Sequence, residues 1–266
     1  MRHPYHLLDI SPWPLLIALN LYSFVWSMVG YLNGYLYSLN IMKFTFIILL
    51  LIFIFWLTDI ITESLYLGTH STQVSIGLGL GFIFFVLTEI MLFFSFFWAY
   101  FHSALNPTYL IWPPIGIDLI NPWSIPILNT FLLLFSGISA TWAHHSFIYN
   151  KLNLKDDFPK ENSKDLYDNN SKEQNSRNES LKGLGIGIIL GIIFFILQIF
   201  EYFHSTYDIT DSVYSSSFYL TTGAHGLHVV VGVLMLSFTW FRIYLFHNPT
   251  LLFDLSLLYY HFVDIV

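Results

Sequence analysis

The chain has 266 residues, of which 55% are hydrophobic, 20% are aromatic and only 10% are charged. A soluble domain carries about a quarter charged residues, so this composition excludes a water-soluble globule. Several apolar runs approach the ~20 residues that a helix needs to cross a bilayer, and they lack the alternation of a membrane β-barrel. The absence of cysteine excludes disulfides, thiolate metal sites and cysteine nucleophiles. We therefore predict an all-α, polytopic membrane protein.

The apolar runs predict seven transmembrane helices, several of which are delimited by proline. Pro12 and Pro14 open the first helix, Pro107 follows the third and Pro249 precedes the seventh. The predicted helices cover roughly 14–36, 42–62, 74–101, 126–149, 183–203, 217–246 and 251 to the end. We divide the chain into 1–66 (helices 1 and 2), 67–149 (helices 3 and 4), 150–182 (a polar loop) and 183–266 (helices 5 to 7, the last short or truncated).

The segment 150–182 differs sharply from the rest of the chain. It contains seven basic and seven acidic residues and few apolar ones, so we expect it to be solvated and disordered. The remainder carries a net negative charge, which argues against a nucleic-acid partner. With seven spans, Arg2, this loop and Arg242 share one face and only Lys43 lies on the other. The positive-inside rule then places the N-terminus on the matrix-like side and the C-terminus on the opposite side.

Glu89 stands near the middle of the third predicted helix. An ionised carboxylate at that depth costs from ~3 to more than ~10 kcal/mol, so the group must be protonated, paired or hydrated. Two interpretations stay open. Glu89 is either a protonatable site with lipid-headgroup or subunit contacts, or a neutral acid that is hydrogen-bonded between helices.

Other acidic residues occur in pairs near helix ends. Asp59 and Glu63 are four residues apart and share a helix face, where they form either a site for a cation or proton or an interfacial acidic patch. Gln198 and Glu201 share a face at the end of the fifth helix, for which a structural role is favoured.

The histidines suggest a metal or haem hypothesis. His144 and His145 end the fourth helix, and His225 and His228 lie three residues apart on the sixth. A bis-histidine haem needs ligands at matching depth on facing helices, and only His102 and His225 come near that condition. Interhelical hydrogen bonding and interface anchoring are therefore the favoured roles of these side chains.

Glycines recur at four-residue spacing within the predicted helices. Such spacing allows helix backbones to approach closely in membranes. The three sets are Gly30 with Gly34, Gly77 with Gly81, and Gly183 with Gly187 and Gly191.

Short motifs that follow one another in a fixed order extend over the whole sequence. They include His3-Pro4-Tyr5-His6, Ser11-Pro12-Trp13-Pro14, Thr88-Glu89, Phe96-Phe97-Trp98-Ala99-Tyr100-Phe101-His102-Ser103, Trp112-Pro113-Pro114-Ile115-Gly116-Ile117, Asn129-Thr130, Ser136-Gly137, Thr141-Trp142-Ala143-His144-His145, Glu201-Tyr202, Asp211-Ser212-Val213-Tyr214, Thr222-Gly223, His225-Gly226-Leu227-His228-Val229 and Tyr260-His261-Phe262-Val263-Asp264. In these motifs the chain resembles the cytochrome c oxidase subunit III family.

The resemblance implies seven helices in two bundles, helices 1–2 and helices 3–7, with a V-shaped cleft that holds structural phospholipids. It implies no haem or copper in this chain, because haem a and copper belong to the partner subunits I and II, which oxidise cytochrome c, reduce oxygen and pump protons. A subunit of this family packs on subunit I, sustains proton uptake and protects the enzyme from turnover inactivation. Accessory subunits, membrane lipids and a respiratory supercomplex are further expected partners, in the mitochondrial inner membrane.

The resemblance also implies site residues, none of them catalytic. Glu89 matches the family's intramembrane carboxylate. The positions that match the lipid-lining residues of the family are Trp56, Glu63, His70, Trp98, His102 and Arg242. Thr58, Thr62 and Gly79 stand where the family usually has basic residues, which argues against direct arginine contacts to lipid at those positions.

Three other functions compete with this interpretation. A stand-alone proton-coupled transporter would use Glu89 with Asp59 and Glu63, but the sequence has neither inverted repeats nor broken helices. A bis-histidine haem electron carrier would need the histidine pairing discussed above. The quinol-oxidase form of the same subunit shares the fold, while the loop motifs favour the cytochrome c oxidase form.

Overall fold

The structure is a computed structural model that describes residues 5–7, 10–107, 111–156, 163–246 and 249–266. These residues form seven α-helices and no strand. The helices are α1 (Trp13–Leu32), α2 (Ser38–Leu65), α3 (Thr72–Leu105), α4 (Ile125–Asp156), α5 (Ser163–His204), α6 (Val213–Tyr244) and α7 (Thr250–Ile265). Six are long and apolar enough to cross a membrane, and α7 is shorter, with 16 residues. The prediction of an all-α, polytopic membrane protein is confirmed.

The first helix ends earlier than predicted. α1 stops at Leu32 rather than near residue 36, because the chain turns sharply before α2 begins. Gly34 has a φ of 76° and Tyr37 a φ of 68°. Glycine adopts this left-handed region without steric cost, whereas a helix cannot continue through it. Gly34 is thus a turn residue and not part of a helix-packing pair.

Helical backbone replaces much of the disorder expected over 150–182. α4 continues to Asp156 and α5 begins at Ser163. Residues 157–162 of the predicted loop lie outside the described residues. The expectation of disorder is therefore wrong for 150–156 and 163–182.

Tertiary hydrogen bonds explain why the polar first part of α5 is ordered. The Arg177 Nε and Nη2 atoms donate to the backbone carbonyls of Ile243 and Tyr244, at 3.0 and 2.6 Å. The Ser180 hydroxyl is buried and donates to the carbonyl of Ala143 at 2.9 Å. Both carbonyls lie in the last turn of α6, where helix geometry supplies no N–H donor four residues on within the helix. Side-chain contacts of this kind cannot be read from composition.

The chain divides into two compact units, residues 1–80 and 81–266. In the first unit, α1 packs along α2, with the Asn20 side-chain amide donating to the Thr45 carbonyl at 3.0 Å. The rings of Phe24 and Phe46 lie 6.0 Å apart between the same helices. Only 6% of the residues in the most apolar stretch of each of these two helices are buried. Most of the helix surface is therefore available to lipid or to other chains.

The second unit has its core around α7. Tyr260 and Phe253 of this helix are fully buried. The Tyr260 hydroxyl bonds Ser136 of α4 at 2.9 Å, and the Ser256 hydroxyl bonds Thr239 of α6 at 3.1 Å. Hydrogen bonds between helices contribute to packing in membranes, where lipid supplies no hydrophobic driving force for association. α7 is buried on most of its faces within this unit.

The glycines of α5 allow close helix packing, as their spacing predicts. A Cβ atom at Gly183 would lie 2.9 Å from both the Ala143 Cβ and the Ser139 carbonyl oxygen of α4. At Gly191, a Cβ would lie 2.6 Å from Val233 of α6. These distances leave no room for a side chain. The α5 backbone therefore packs closely against the backbone of α4 and against the Val233 side chain of α6.

The other glycine pair does not pack in this way. A Cβ at Gly77 or Gly81 would meet no atom within 4 Å in the described part of the chain. Within the described residues no helix approaches this pair closely, while Gly30 does lie against the side chain of Ser38.

Candidate functional site

Glu89, in the middle of α3, pairs with a histidine of α6. Its Oε2 lies 2.7 Å from His228 Nε2, and the two side chains are 20% and 14% exposed. Of the three ways to accommodate a carboxyl group at this depth, the structure shows pairing.

The hydrogen bonds of the His228 ring define how many protons the pair holds. His228 Nδ1 lies 2.6 Å from the carbonyl oxygen of Ala224, one turn earlier in α6. A carbonyl only accepts, so Nδ1 carries a proton and donates. The contact between Nε2 and Glu89 then requires one proton between two acceptors. Either the acid donates to a neutral imidazole, or the imidazolium donates to a carboxylate.

Aromatic rings surround this pair. Phe93 is buried and meets the His228 ring edge-on at 5.1 Å, and Tyr259 stacks on it at 6.3 Å. Phe262 contacts it edge-on at 6.1 Å. An apolar wall strengthens electrostatic interactions and makes an isolated charge costly. A pair that shares one proton carries no net charge in either arrangement, which explains how Glu89 is accommodated within the membrane.

The partner of Glu89 was not identified from the sequence, although a signal was present. Glu89 lies 16 residues before Leu105, the end of α3, and His228 lies 15 residues after Val213, the start of α6. Two antiparallel helices with these positions place both side chains at the same depth. Matching depth between the helices would have selected His228.

The structure brings two of the predicted lipid-lining residues together in the first unit. His6 Nε2 lies 3.3 Å from Glu63 Oε2, and the rings of His6 and His70 are 6.0 Å apart. Trp56 is half-buried and lies two turns before Glu63, on the same face of α2. Two imidazoles and a carboxylate thus cluster at the end of α2. His6 was not among the predicted site residues.

Asp59 has a different partner from Glu63. Its Oδ2 accepts a hydrogen bond from Trp13 Nε1 at 2.5 Å. Since each carboxylate bonds its own neighbour, this arrangement favours an interfacial role over a shared cation site.

The remaining predicted lipid-lining residues lie at two ends of the second unit. Trp98 is exposed, and His102 lines a cavity of about 470 Å³ after the end of α3, beside Trp112. Arg242 is half-buried in the last turn of α6. The ring contact of Tyr100 with Tyr214, at 6.2 Å, pairs the end of α3 with the start of α6.

The two helices are therefore antiparallel, and Arg242 lies at the opposite end of this unit from His102. These positions do not form one pocket within the unit.

Two further histidines, His144 and His225, make interhelical hydrogen bonds, the role favoured from the sequence. His144 Nε2 lies 2.7 Å from Asp254 Oδ1, and His225 Nε2 lies 3.1 Å from the carbonyl of Val263. Within the described ranges, no group of three or more histidine and acidic side chains is arranged to hold a metal ion.

The fold and the site define a polytopic α-helical membrane protein with a carboxyl–imidazole pair inside its helical core. Comparison with known sequences narrows this class. A family model described as cytochrome c oxidase subunit III matches residues 3–156 and 166–266. The chain belongs to the cytochrome c oxidase subunit III family.

Named relatives support this assignment over the full length. The chain is 37% identical over 270 residues to cytochrome c oxidase subunit 3 of Yarrowia lipolytica, covering 99% of the chain and 91% of the relative. It is 39% identical over 271 residues to the subunit of Chondrus crispus, covering 100% and 90%. It is also 40% identical over 271 residues to that of Patiria pectinifera, covering 100% and 94%.

Proposed function

We propose that the chain is a non-redox core subunit of cytochrome c oxidase in the mitochondrial inner membrane. In this proposal it packs on subunit I, binds structural phospholipids, and supports proton uptake and turnover stability. Haem a and copper lie in subunits I and II, and this chain has no catalytic redox centre. Family membership supports the assembly, and the Glu89–His228 pair carries the proposal for the proton-related role.

The pair suits a proton-related role because its proton can move between the carboxyl and the imidazole without changing the net charge of the pair. Transfer between Glu89 Oε2 and His228 Nε2 exchanges a neutral pair for an ion pair, across a distance of 2.7 Å. The aromatic wall keeps both arrangements in a low-dielectric environment. The position of the shared proton can therefore respond to changes in the local electric field while the partner subunits turn over. We propose that this protects the enzyme from inactivation, and that Glu89 is not itself the proton pump.

A glutamine variant separates proton sharing from simple hydrogen bonding. In Glu89→Gln, the amide N–H still donates to His228 Nε2, so the helices stay joined, but no proton can transfer. We expect normal subunit assembly and a normal initial rate, with fewer turnovers before the enzyme loses activity. The measurement is oxygen consumption by the purified complex until inactivation, with subunit content and proton pumping determined on the same sample.

The matched control is Thr88→Val, one residue away. Among the described residues, the Thr88 hydroxyl bonds the Phe85 carbonyl of its own helix alone, and the side chain is exposed. This control should behave like the parent enzyme. A Glu89→Gln complex with an unchanged number of turnovers contradicts the proposal, and loss of pumping with intact assembly assigns Glu89 a more direct role.

The proposed phospholipids contact two ends of the helices. Trp98 and His102 lie at the end of the second unit opposite to Arg242. Headgroups bind cationic and N–H donors at the membrane boundary, while acyl chains pack on aromatic side chains. We therefore propose that His102 and Arg242 bind headgroups in different leaflets. Trp56, Glu63 and His70 contribute the corresponding contacts in the first unit, with Glu63 orienting donors.

Arg242→Gln tests the lipid proposal at the α6 end. We expect the purified complex to lose phospholipid, measured as lipid per complex by mass spectrometry, with subunit content unchanged. The control is Lys182→Gln, which removes an exposed cation that, among the described residues, pairs with Glu179 on its own helix. Equal lipid content in both variants and the parent would contradict a headgroup contact at Arg242.

The proposed orientation places the N-terminus in the matrix and the C-terminus in the intermembrane space. The distribution of basic residues supports it, because Arg177, Lys182 and Arg242 lie at one end of α5 and α6. Accessory subunits and a respiratory supercomplex are the further partners in this proposal.

A further inference from the structure

Tyrosine and tryptophan side chains form one continuous cluster at an end of the second unit. They come from the end of α3, the loop before α4, the end of α5, the α5–α6 loop and the start of α6. Each ring has at least one other ring of the cluster within 6.2 Å, measured between centroids. The members of this tyrosine–tryptophan cluster are Tyr100, Trp112, Tyr202, Tyr207, Tyr214 and Tyr219.

Tyr214 joins the two halves of this cluster. Its ring lies 5.9 Å from Trp112 and 6.2 Å from Tyr100, which form the Trp112 half. It also lies 5.9 Å from Tyr207, and the contacts continue at 5.7 and 5.2 Å to the remaining two tyrosines of the Tyr207 half. Among the described residues, no other tyrosine or tryptophan ring contacts both halves.

The composition of the cluster suits one-electron chemistry. Tyrosine and tryptophan lose one electron more readily than the other aromatic side chains, and the chain has no cysteine to compete with them. The rings lie within the ~4.5–7 Å centroid distances of contacting aromatic pairs, and an electron passes readily between rings in contact. A tyrosine that only anchors a helix at the membrane boundary keeps its hydroxyl in water, whereas Tyr207 is 4% exposed.

The two halves differ in how well they hold a radical. A phenol must release its proton when it is oxidised, and burial raises the pKa of the Tyr207 hydroxyl above its usual range. The Tyr202 hydroxyl donates to Thr222 Oγ1 at 2.6 Å and that of Tyr219 to the Tyr207 carbonyl at 2.8 Å, and neither acceptor is basic enough to keep the proton. Trp112 is half-buried, and an indole loses an electron before its N–H proton. An oxidising equivalent is therefore more stable on Trp112.

We propose that the tyrosine–tryptophan cluster is a one-electron relay that carries oxidising equivalents from the Tyr207 half through Tyr214 to Trp112. The oxidant is a peroxyl radical of a membrane lipid, which takes an electron and a proton from one phenol and becomes a hydroperoxide. The resulting phenoxyl radical regains an electron through the relay and a proton from water at the membrane boundary. The Trp112 radical cation is then reduced by one electron from a soluble reductant of the ascorbate class.

This relay is independent of the proton shared by Glu89 and of the lipid headgroup contacts. It removes a reactive lipid radical at the boundary of the membrane and leaves the side chains of the cluster unchanged after each cycle.

Residue-resolved radical trapping in the intact oxidase complex tests where the oxidising equivalent ends. The complex, in vesicles of polyunsaturated phospholipid, is exposed to a lipid-soluble azo initiator that generates peroxyl radicals, together with a nitroso spin trap. Peptide mass spectrometry then locates the adducts. We expect several-fold more adduct on Trp112 than on Trp123 or Trp26, although these two side chains are 79% and 69% exposed. Less adduct on Trp112 than on these exposed tryptophans would contradict the relay.

Tyr214→Phe separates electron transfer from ring packing. Phenylalanine keeps the ring contacts but is not oxidised by a peroxyl radical. We expect the Trp112 adduct to fall several-fold and adducts in the Tyr207 half to rise, with subunit assembly and thermal stability as in the parent complex. The control is Tyr22→Phe, whose ring stacks on Trp26 in the first unit and should leave the Trp112 adduct unchanged. An unchanged Trp112 adduct in Tyr214→Phe would overturn the relay and leave the cluster a structural role only.

Discussion

The two units of the chain use polar residues differently. In residues 1–80, the polar contacts Trp13–Asp59 and His6–Glu63 occur near helix ends. Only 6% of the residues in the most apolar stretch of α1, and of α2, are buried. In residues 81–266, polar pairs such as Glu89–His228 and Ser136–Tyr260 lie between packed helices. In the most apolar stretch of α6, 39% of the residues are buried. The first unit thus has a mostly exposed apolar surface, whereas the second unit has polar pairs buried between its helices.

The largest expected difference concerns the two carboxyl–histidine pairs. His228→Ala leaves Glu89 without a partner among aromatic rings, which should cost about 3–5 kcal/mol of stability. His6→Ala removes a longer contact to Glu63 at a helix end, and we expect about 1 kcal/mol or less. The midpoint temperature at which the subunit dissociates from the complex measures both. Equal losses would show that burial does not distinguish the two pairs.

A smaller difference is expected for two glycines. Gly183→Ala places a methyl group 2.9 Å from the Ser139 carbonyl, so α4 and α5 must separate, at a cost of about 1–3 kcal/mol. Gly77→Ala is the control, because a Cβ there meets no described atom within 4 Å. Yield and thermal stability of the assembled complex should fall only for Gly183→Ala. A comparable loss for Gly77→Ala would place another chain against that face.

The smallest expected effect concerns the polar start of α5. Arg177→Gln removes two hydrogen bonds to the end of α6 and the contact of the guanidinium with the Phe246 ring, at 3.4 Å. We expect a loss of about 1–2 kcal/mol and faster proteolysis of this segment. Lys182→Gln should change stability by less than about 0.5 kcal/mol. Unchanged proteolysis of Arg177→Gln would show that Arg177 does not order the segment.

The sequence was sufficient to predict the seven helices, because helix length and hydropathy are local properties in a membrane protein. Proline correctly indicated helix ends at Pro107 and Pro249. The order of residues 174–182 was not predictable in the same way. It depends on Arg177 and Ser180 contacting α6 and α4, which are distant in sequence.

The candidate site was only partly predictable for the same reason. The position of Glu89 in an apolar run required a partner, yet His228 is 139 residues away. Gly137 gave no signal for the same reason, because the Asp264 carboxyl that packs against it is distant in sequence.

The central claim is that Glu89 and His228 act as one unit that shares a proton, and a double-mutant cycle tests it most directly. Glu89→Gln, His228→Gln and the double variant are compared by the number of turnovers that each complex completes before inactivation. We predict that the double variant loses no more than either single variant, since each substitution already abolishes proton sharing. Additive losses would contradict the claim and assign the two residues separate roles.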